Sequence, residues 1–171
     1  MKIWTMAAAA GAALVLAGCI SKSDSAPIAS MPEDWSRSSR VETVTLDRDP
    51  AIEVSGEFDS IFQQRVRAKL DACATGARPL RMEARLQKLS KANPFVTAVL
   101  FGQNKVRGTA RLVDVETGRV VGEYKIGQTI TGSRLGVIAM AEAEEQLSDA
   151  FGAEVCTQAF GAPAEIFQTG Q

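Results

Sequence analysis

The residues of this chain that could do chemistry are few, because it contains three cysteines and no histidine. The cysteines stand at positions 19, 73 and 156. The missing histidine excludes Ser-His-Asp and Cys-His catalytic sets, histidine metal sites and histidine pH switches. The sequence also contains no CxxC motif, phosphate-binding loop or nucleophile elbow. We therefore expect no enzymatic activity, no metal and no cofactor.

Carboxylates are plentiful, but no spacing pairs them into an acid–base site. Glu142, Glu144 and Glu145 are interpreted as the solvated face of a helix. The 20 acidic residues nearly balance 19 lysines and arginines, so the chain has a formal net charge of −1. This balance gives no reason to expect a nucleic acid as partner.

The first cysteine ends a segment with the features of a secretory signal peptide. Lys2 precedes an apolar stretch over residues 3–15, and small residues follow. A membrane span is the alternative, although the stretch falls short of the roughly 20 residues that a span needs. Residues 16–19 read Leu-Ala-Gly-Cys, which resembles the lipobox of bacterial lipoproteins. The other alternative is a signal peptide cut near Ala17, with Cys19 left as a spare thiol.

The lipobox resemblance implies that Cys19 becomes the lipidated first residue of the mature chain. Two or three acyl chains, palmitate among them, would anchor the protein durably, whereas one chain binds only marginally. Ile20 follows the cysteine in place of the aspartate that resembles an inner-membrane retention signal. We therefore expect a lipid anchor in the outer membrane, on its periplasmic face.

The length of 171 residues fits one domain. We interpret residues 1–18 as the signal peptide, 19–40 as the lipidated cysteine and a flexible tether, 41–162 as a periplasmic α+β domain, and 163–171 as a loose C-terminal tail. The tether is rich in serine and shows no strand or helix period. Trp35 is expected to pack back onto the edge of the domain.

Periodicity divides the predicted domain into four strands and two helices. The predicted strands are 41–46, 78–88, 105–115 and 119–130, and the predicted helices are 57–74 and 136–160. The order β-α-β-β-β-α predicts a two-layer sandwich, with both helices on one face of a mixed four-stranded sheet. A right-handed crossover makes the first two strands parallel, and the two helices then run parallel to each other.

Parallel helices bring the remaining two cysteines together. Cys73 lies at the end of the first predicted helix, and Cys156 lies near the end of the second. Export places both in an oxidising compartment. We therefore predict a Cys73–Cys156 disulfide. A redox-active pair is the alternative, which the lack of a CxxC motif disfavours.

The segment 94–102, between the second and third predicted strands, is unusually apolar for a connection. Its large apolar residues are Phe95, Val96, Leu100 and Phe101. An exposed apolar segment of this kind indicates contact with a membrane, a ligand or a partner. The alternative is a short element that packs on the core.

The predicted outer face of the sheet carries more basic than acidic side chains. The basic residues are Arg81, Arg85, Arg107, Arg111 and Lys125, and the acidic residues are Glu83 and Glu123. Such a face could bind an anionic envelope component or an acidic protein surface. A merely solvated face is the alternative.

Residues 101–106 and 111–120 resemble a pattern of small Gram-negative outer-membrane lipoproteins of uncharacterised function. In those proteins a glycine-rich stretch leads into a strand, an Asp-x-x-Thr-Gly turn, a second strand and a closing helix; Asp114, Thr117 and Gly118 match the turn. The resemblance implies a compact α/β sandwich beneath the outer membrane and no catalytic residues. The sequence thus predicts a non-enzymatic lipoprotein with an envelope protein as partner, supporting assembly or stability of the envelope. Binding of a lipid or other amphiphile between sheet and helices is the alternative.

Overall fold

The structure, a computed structural model, describes residues 20–92, 102–132 and 142–164. These residues form one six-stranded mixed sheet and three helices. The strands are β1 (Ile20–Ser23), β2 (Ala26–Ala29), β3 (Ser39–Arg48), β4 (Arg78–Ser90), β5 (Gly102–Asp114) and β6 (Val120–Gly132). The helices are α1 (Glu33–Ser38), α2 (Phe58–Cys73) and α3 (Ala143–Phe160). The predicted α+β class is therefore confirmed.

The strands follow the order β3-β4-β5-β6, and β1 and β2 lie end to end along the outer edge of β6. β3 and β4 are parallel, with Val44 opposite Met82, as the crossover argument predicts. β4, β5 and β6 are antiparallel neighbours, with Ala84, Ala110 and Tyr124 in one cross-strand row. The predicted hairpin between β5 and β6 is thus confirmed.

The prediction of four strands and two helices is wrong in number for the described part of the chain. The additional elements β1, β2 and α1 lie in residues 20–38, where the sequence predicts a tether. These elements depend on contacts with distant residues for their defined conformation, because their Ser, Ala and Pro residues give no apolar period. Asp24 donates its backbone N–H to the Gly127 carbonyl at 2.9 Å, and Met31 donates its N–H to the Tyr124 hydroxyl at 2.9 Å.

Helix α1 connects the β6 edge of the sheet to β3 at the opposite edge. The Ser36 hydroxyl donates to the Ala159 carbonyl at 2.7 Å and satisfies an acceptor in the last turn of α3. Trp35 is half-buried against the core, as predicted, and the Arg78 guanidinium lies 4.7 Å from its ring centre.

Helices α2 and α3 lie side by side on one face of the sheet, and both run in the same direction. Their contacts ascend together along the two chains, from Arg65 with Asp149 to Cys73 with Cys156. The helices approach closely at Gly152, where a Cβ would lie 3.1 Å from the Val66 Cα. The predicted parallel arrangement is therefore confirmed. Predicted residues 136–141 of α3 lie outside the described residues. The helix ends at Phe160 and is followed by Gly161, whose φ is 68°.

The space between the sheet and the two long helices is filled by apolar side chains. The Phe62 ring lies 5.9 Å from that of Phe58 and 5.2 Å from that of Phe151. All three are at most 1% exposed. The strands add the alternate residues that the period of two predicts; on β4 these are Leu80, Met82, Ala84 and Leu86.

Candidate interaction surface on the outer sheet face

The face of the sheet opposite α2 and α3 carries an open groove of about 850 Å³. The groove crosses all four long strands, from β3 to β6. Its lining residues are Thr45, Leu46, Asp47, Glu83, Ala84, Arg85, Gln87, Thr109, Arg111 and Glu123. The outward side chains are polar because they alternate with the buried apolar positions of the same strands. We call this side of the sheet the outer face.

The four arginines predicted as an interaction surface all lie on the outer face, and each forms an ion pair. The Glu83 carboxylate bridges two of them, at 3.0 Å from Arg81 Nε and 3.3 Å from Arg111 Nη1. Arg85 Nε lies 3.7 Å from Asp47, and Arg107 pairs with Asp24. Exposed pairs of this kind contribute only about 0–1 kcal/mol each, so they orient the side chains more than they stabilise the fold.

These ion pairs change the charge balance that the sequence predicts. The sequence predicts five basic and two acidic residues on the outer face; Asp24 and Asp47 raise the acidic number to four, and Lys22, Lys88 and Lys105 raise the basic number to eight. Asp24 was missed because it lies in the segment predicted as a tether. Asp47 was missed because strand register decides which residues meet Arg85.

Three lysines that sequence reasoning also missed lie on the outer face near Ile20. Lys22 and Lys105 both stand opposite Thr129, one on each side of β6, and Lys88 stands opposite Arg107. Lys105 alternates with buried Asn104 and Val106, so it points away from the helices. Lys22 and Lys88 are exposed and Lys105 is half-buried; within the described residues none of the three forms an ion pair. We call these residues the lysine group.

Other predicted site residues lie outside the described residues. These are Cys19 in the lipobox and the four apolar residues Phe95, Val96, Leu100 and Phe101. The flanks of the apolar segment are described: β4 ends at Ser90 and β5 begins at Gly102. Register places both flanks at the end of the sheet where Ile20 begins β1.

The predicted Cys73–Cys156 disulfide is present and joins the end of α2 to α3. The two Cα atoms lie 5.8 Å apart. In the three described stretches, no group of His, Cys, Asp and Glu residues is placed to hold a metal ion. No helix within these stretches is long and apolar enough to cross a membrane.

Two of the three carboxylates at the start of α3 contact other elements of the domain and do not simply face solvent. Glu144 accepts hydrogen bonds from the Ser55 N–H at 2.9 Å and from Lys91 Nζ at 2.7 Å, and only 12% of its side chain is exposed. Burial raises the pKa of Glu144, but these hydrogen bonds outweigh it and leave the pKa below its ordinary value. Glu145 pairs with Arg65 of α2. These carboxylates therefore fix α3 to the rest of the domain.

The Asp-x-x-Thr-Gly segment between β5 and β6 forms a turn. The Thr117 hydroxyl and the Glu116 N–H donate to the Asp114 carboxylate and hold its pKa below the usual range. Gly118 has a φ of 69°, which favours glycine. The turn residues are thus fully explained by local geometry.

A buried carboxylate ties β1 to the inner side of the domain. Glu154 of α3 is 6% exposed and accepts hydrogen bonds from the Ser23 hydroxyl at 2.7 Å and from Gln128 Nε2 at 2.8 Å. Ser25 strengthens the same edge, because its hydroxyl accepts the Gly127 N–H at 3.0 Å. Side chains of the first few described residues therefore reach both β6 and α3.

Comparison with known proteins finds no matching family model and no matching curated protein. Among solved structures, the chain is similar to a single-substitution variant of the PelC dodecamer from Paraburkholderia phytofirmans, at 14% identity and a TM-score of 0.47, covering 81% of this chain and 99% of that one. A second PelC dodecamer structure from this organism gives 18% identity and a TM-score of 0.38, covering 82% and 99%. A candidate lipoprotein from Caulobacter crescentus has 12% identity and a TM-score of 0.40, and the match covers 65% of this chain and 84% of that one. At these identities and TM-scores, the similarities assign no function to this chain.

Proposed function

We propose that this protein is a lipid-anchored, non-enzymatic protein on the periplasmic face of the outer membrane. It acts through its outer face by contact with an envelope protein and supports the assembly or stability of an envelope complex. The observation that carries the proposal is the contrast between the open outer groove and the filled space on the inner side of the sheet. The lipobox at residues 16–19 supports the anchor.

The groove suits a protein surface of mixed charge. Its basic and acidic groups alternate, with Arg111 beside Glu83 and Arg85 beside Asp47. Exposed ion pairs are weak, so the four groups can exchange their present partners for those of a bound protein at little cost. A uniformly anionic polymer would meet Glu83 and Asp47 as well as the arginines, which disfavours it as occupant.

An amphiphile bound between sheet and helices is supported less well. The rings of Phe58, Phe62 and Phe151 occupy this space. A ligand at this position would have to displace them, and packed cores tolerate added volume poorly.

Charge reversal in the groove tests the proposed contact. Arg85→Glu with Arg111→Glu should remove the envelope protein that affinity purification recovers with the wild-type chain from cross-linked membranes. Arg119→Glu, in the turn between β5 and β6, is the control for a reversed charge outside the groove. Equal recovery of the partner by wild type, groove variant and control would contradict this function.

The apolar segment 94–102 is the second candidate contact. Replacing Phe95 and Phe101 by serine should abolish the contact and leave the thermal unfolding midpoint unchanged. Unfolding of this variant would mean that the segment belongs to the core, and the segment would then be rejected as a contact.

The anchor has its own test. Cys19→Ala should release the protein from the membrane fraction into the soluble periplasm. Unchanged membrane fractionation would contradict lipidation at this position. Co-purified lipid without any protein partner would favour amphiphile binding.

A further inference from the structure

The chain enters the fold directly after the proposed anchor. Ile20 pairs with Thr131, the second-last residue of β6. Cys19 directly precedes Ile20 in the sequence. Consecutive Cα atoms lie about 3.8 Å apart, so one peptide unit separates the lipidated residue from the sheet. Asp24 and Ser23 hold this segment in place through Gly127 and Glu154. The bilayer surface must therefore lie beside this end of the sheet.

The lysine group occupies the outer face at this same end. Lys22, Thr129 and Lys105 form one cross-strand row, and neighbouring strands are about 4.8 Å apart. The two lysines are thus separated by two strand spacings, or about 10 Å. Lys88 belongs to the row of Arg107, two residues further along β5. The three ammonium groups lie within the reach of one small patch of lipid headgroups.

Acidic groups at this end of the molecule lie mainly at the β3 edge or on the helix side of the sheet, where exposed Glu142 precedes α3. Asp47 lies near the end of β3 and Asp49 directly follows the strand; β3 stands four strand positions from β1, or about 19 Å away. Glu144 and Glu145, at the start of α3, are engaged by Lys91 and Arg65. Asp24 is the acidic residue nearest the lysine group, and it pairs with Arg107. An anionic surface would therefore attract the anchor side of the sheet and repel the β3 side.

We infer that the lysine group binds the phosphate groups of anionic phospholipids in the bilayer that holds the lipid anchor. This inference rests on the anchor of the proposed function. Binding brings the outer face at the anchor end of the sheet to the headgroups.

The inference can be tested by attaching the mature chain, from Cys19 onward, to vesicles. Cys73 and Cys156 are joined, so Cys19 is the one thiol available for coupling to a maleimide lipid. An amine-reactive reagent then labels the lysines, and mass spectrometry measures each position. On vesicles containing phosphatidylglycerol, labelling of Lys22, Lys88 and Lys105 should fall about fivefold, the expected effect of contact with an anionic surface. Lys125, exposed on the same face but further from the anchor, should keep its labelling.

Vesicles of phosphatidylcholine alone and 1 M salt are the controls, since salt at this concentration shortens the screening length to about 3 Å. Both should restore full labelling of the lysine group. The variant with Lys88→Gln and Lys105→Gln should lose the protection of Lys22, whereas Lys125→Gln should keep it.

Equal labelling of Lys22 and Lys125 on anionic vesicles would overturn the inference and would leave an acidic protein as the candidate for this patch. Protection that persists on neutral vesicles would overturn it too, because mere closeness to lipid would then explain the result. The coupling is synthetic, so the experiment does not depend on lipidation in the cell. Failure of the anchor would be seen separately, in the fractionation of Cys19→Ala.

Discussion

The two faces of the sheet are made by alternate residues of the same strands, and they differ in what holds their side chains in place. On the inner face Met82 and Leu112 are fully buried, and each is fixed by the shape of its neighbours. On the outer face Arg81 and Arg111 are held by a single carboxylate, Glu83, in contact with solvent. The inner face therefore carries the stability of the domain, while the outer face can change its charges and partners without unfolding.

The disulfide should show the largest effect on the inner side. Replacing Cys73 and Cys156 together by serine should lower the free energy of unfolding by about 4.5 kcal/mol, because the closed loop spans 83 positions. Chemical denaturation measures this. A loss below 1 kcal/mol would mean that helix packing alone fixes the two helices.

Phe151→Ala should come next, with a loss of about 4 kcal/mol. Phe151 is fully buried against Phe62 and approaches Gly108, so truncation leaves a cavity at the centre of the domain. Thermal unfolding measures the change. Full stability of this variant would contradict the assignment of stability to the inner face.

Tyr124→Phe should cost about 1–2 kcal/mol. The Tyr124 hydroxyl accepts the Met31 N–H inside the fold, so its removal leaves a buried donor unsatisfied. Hydrogen exchange should then speed up at Met31 and along β2, with β4 unchanged as the internal reference. If the exchange rates at Met31 and along β2 equal those of the wild type, residues 20–38 do not depend on this contact.

Acid should weaken the domain through Glu144. Its pKa is lowered in the folded state, so its contribution to stability is present above the ordinary glutamate pKa of about 4.3 and is lost as the pH falls through the lower folded value. Glu144→Gln should flatten the decline in unfolding midpoint below about pH 4. Glu116→Gln, in the exposed turn, serves as the control. Identical pH profiles for Glu144→Gln and the wild type would contradict this role.

The smallest change in stability should come from the outer face. Arg111→Gln should alter the free energy of unfolding by no more than about 0.5 kcal/mol, because its pair with Glu83 is exposed. The same variant should weaken the proposed contact with an envelope protein. Denaturation and affinity purification of one preparation measure both effects. A large loss of stability would remove the distinction between the two faces.

The long elements were predictable because each carries a period of its own. The alternation of Leu80, Met82 and Ala84 indicates β4, and the spacing of Phe58, Phe62 and Val66 indicates α2. The disulfide followed from the direction of the helices. Periodicity within single segments was thus sufficient to predict the strands and helices that form the inner face.

Residues 20–38 and the charge balance of the outer face were not predictable in this way. The backbones of β1 and β2 are held by β6, a strand that lies roughly a hundred residues later in the sequence. The Asp24–Arg107 pair arises from the same contact, and the lysine group becomes visible only when three strands are set in register. Local periodicity contains no information on such pairings.

The pairing of β1 with β6 also determines when folding can be completed. Ile20, the first residue that the structure describes, has its partner at Thr131, shortly before α3 in the chain. Contacts so distant in sequence form slowly and late. In the export that we propose, a chain that emerges N-terminus first cannot close this edge until β6 has emerged as well. The β1 edge of the sheet would therefore be completed only after nearly all of the chain has been released.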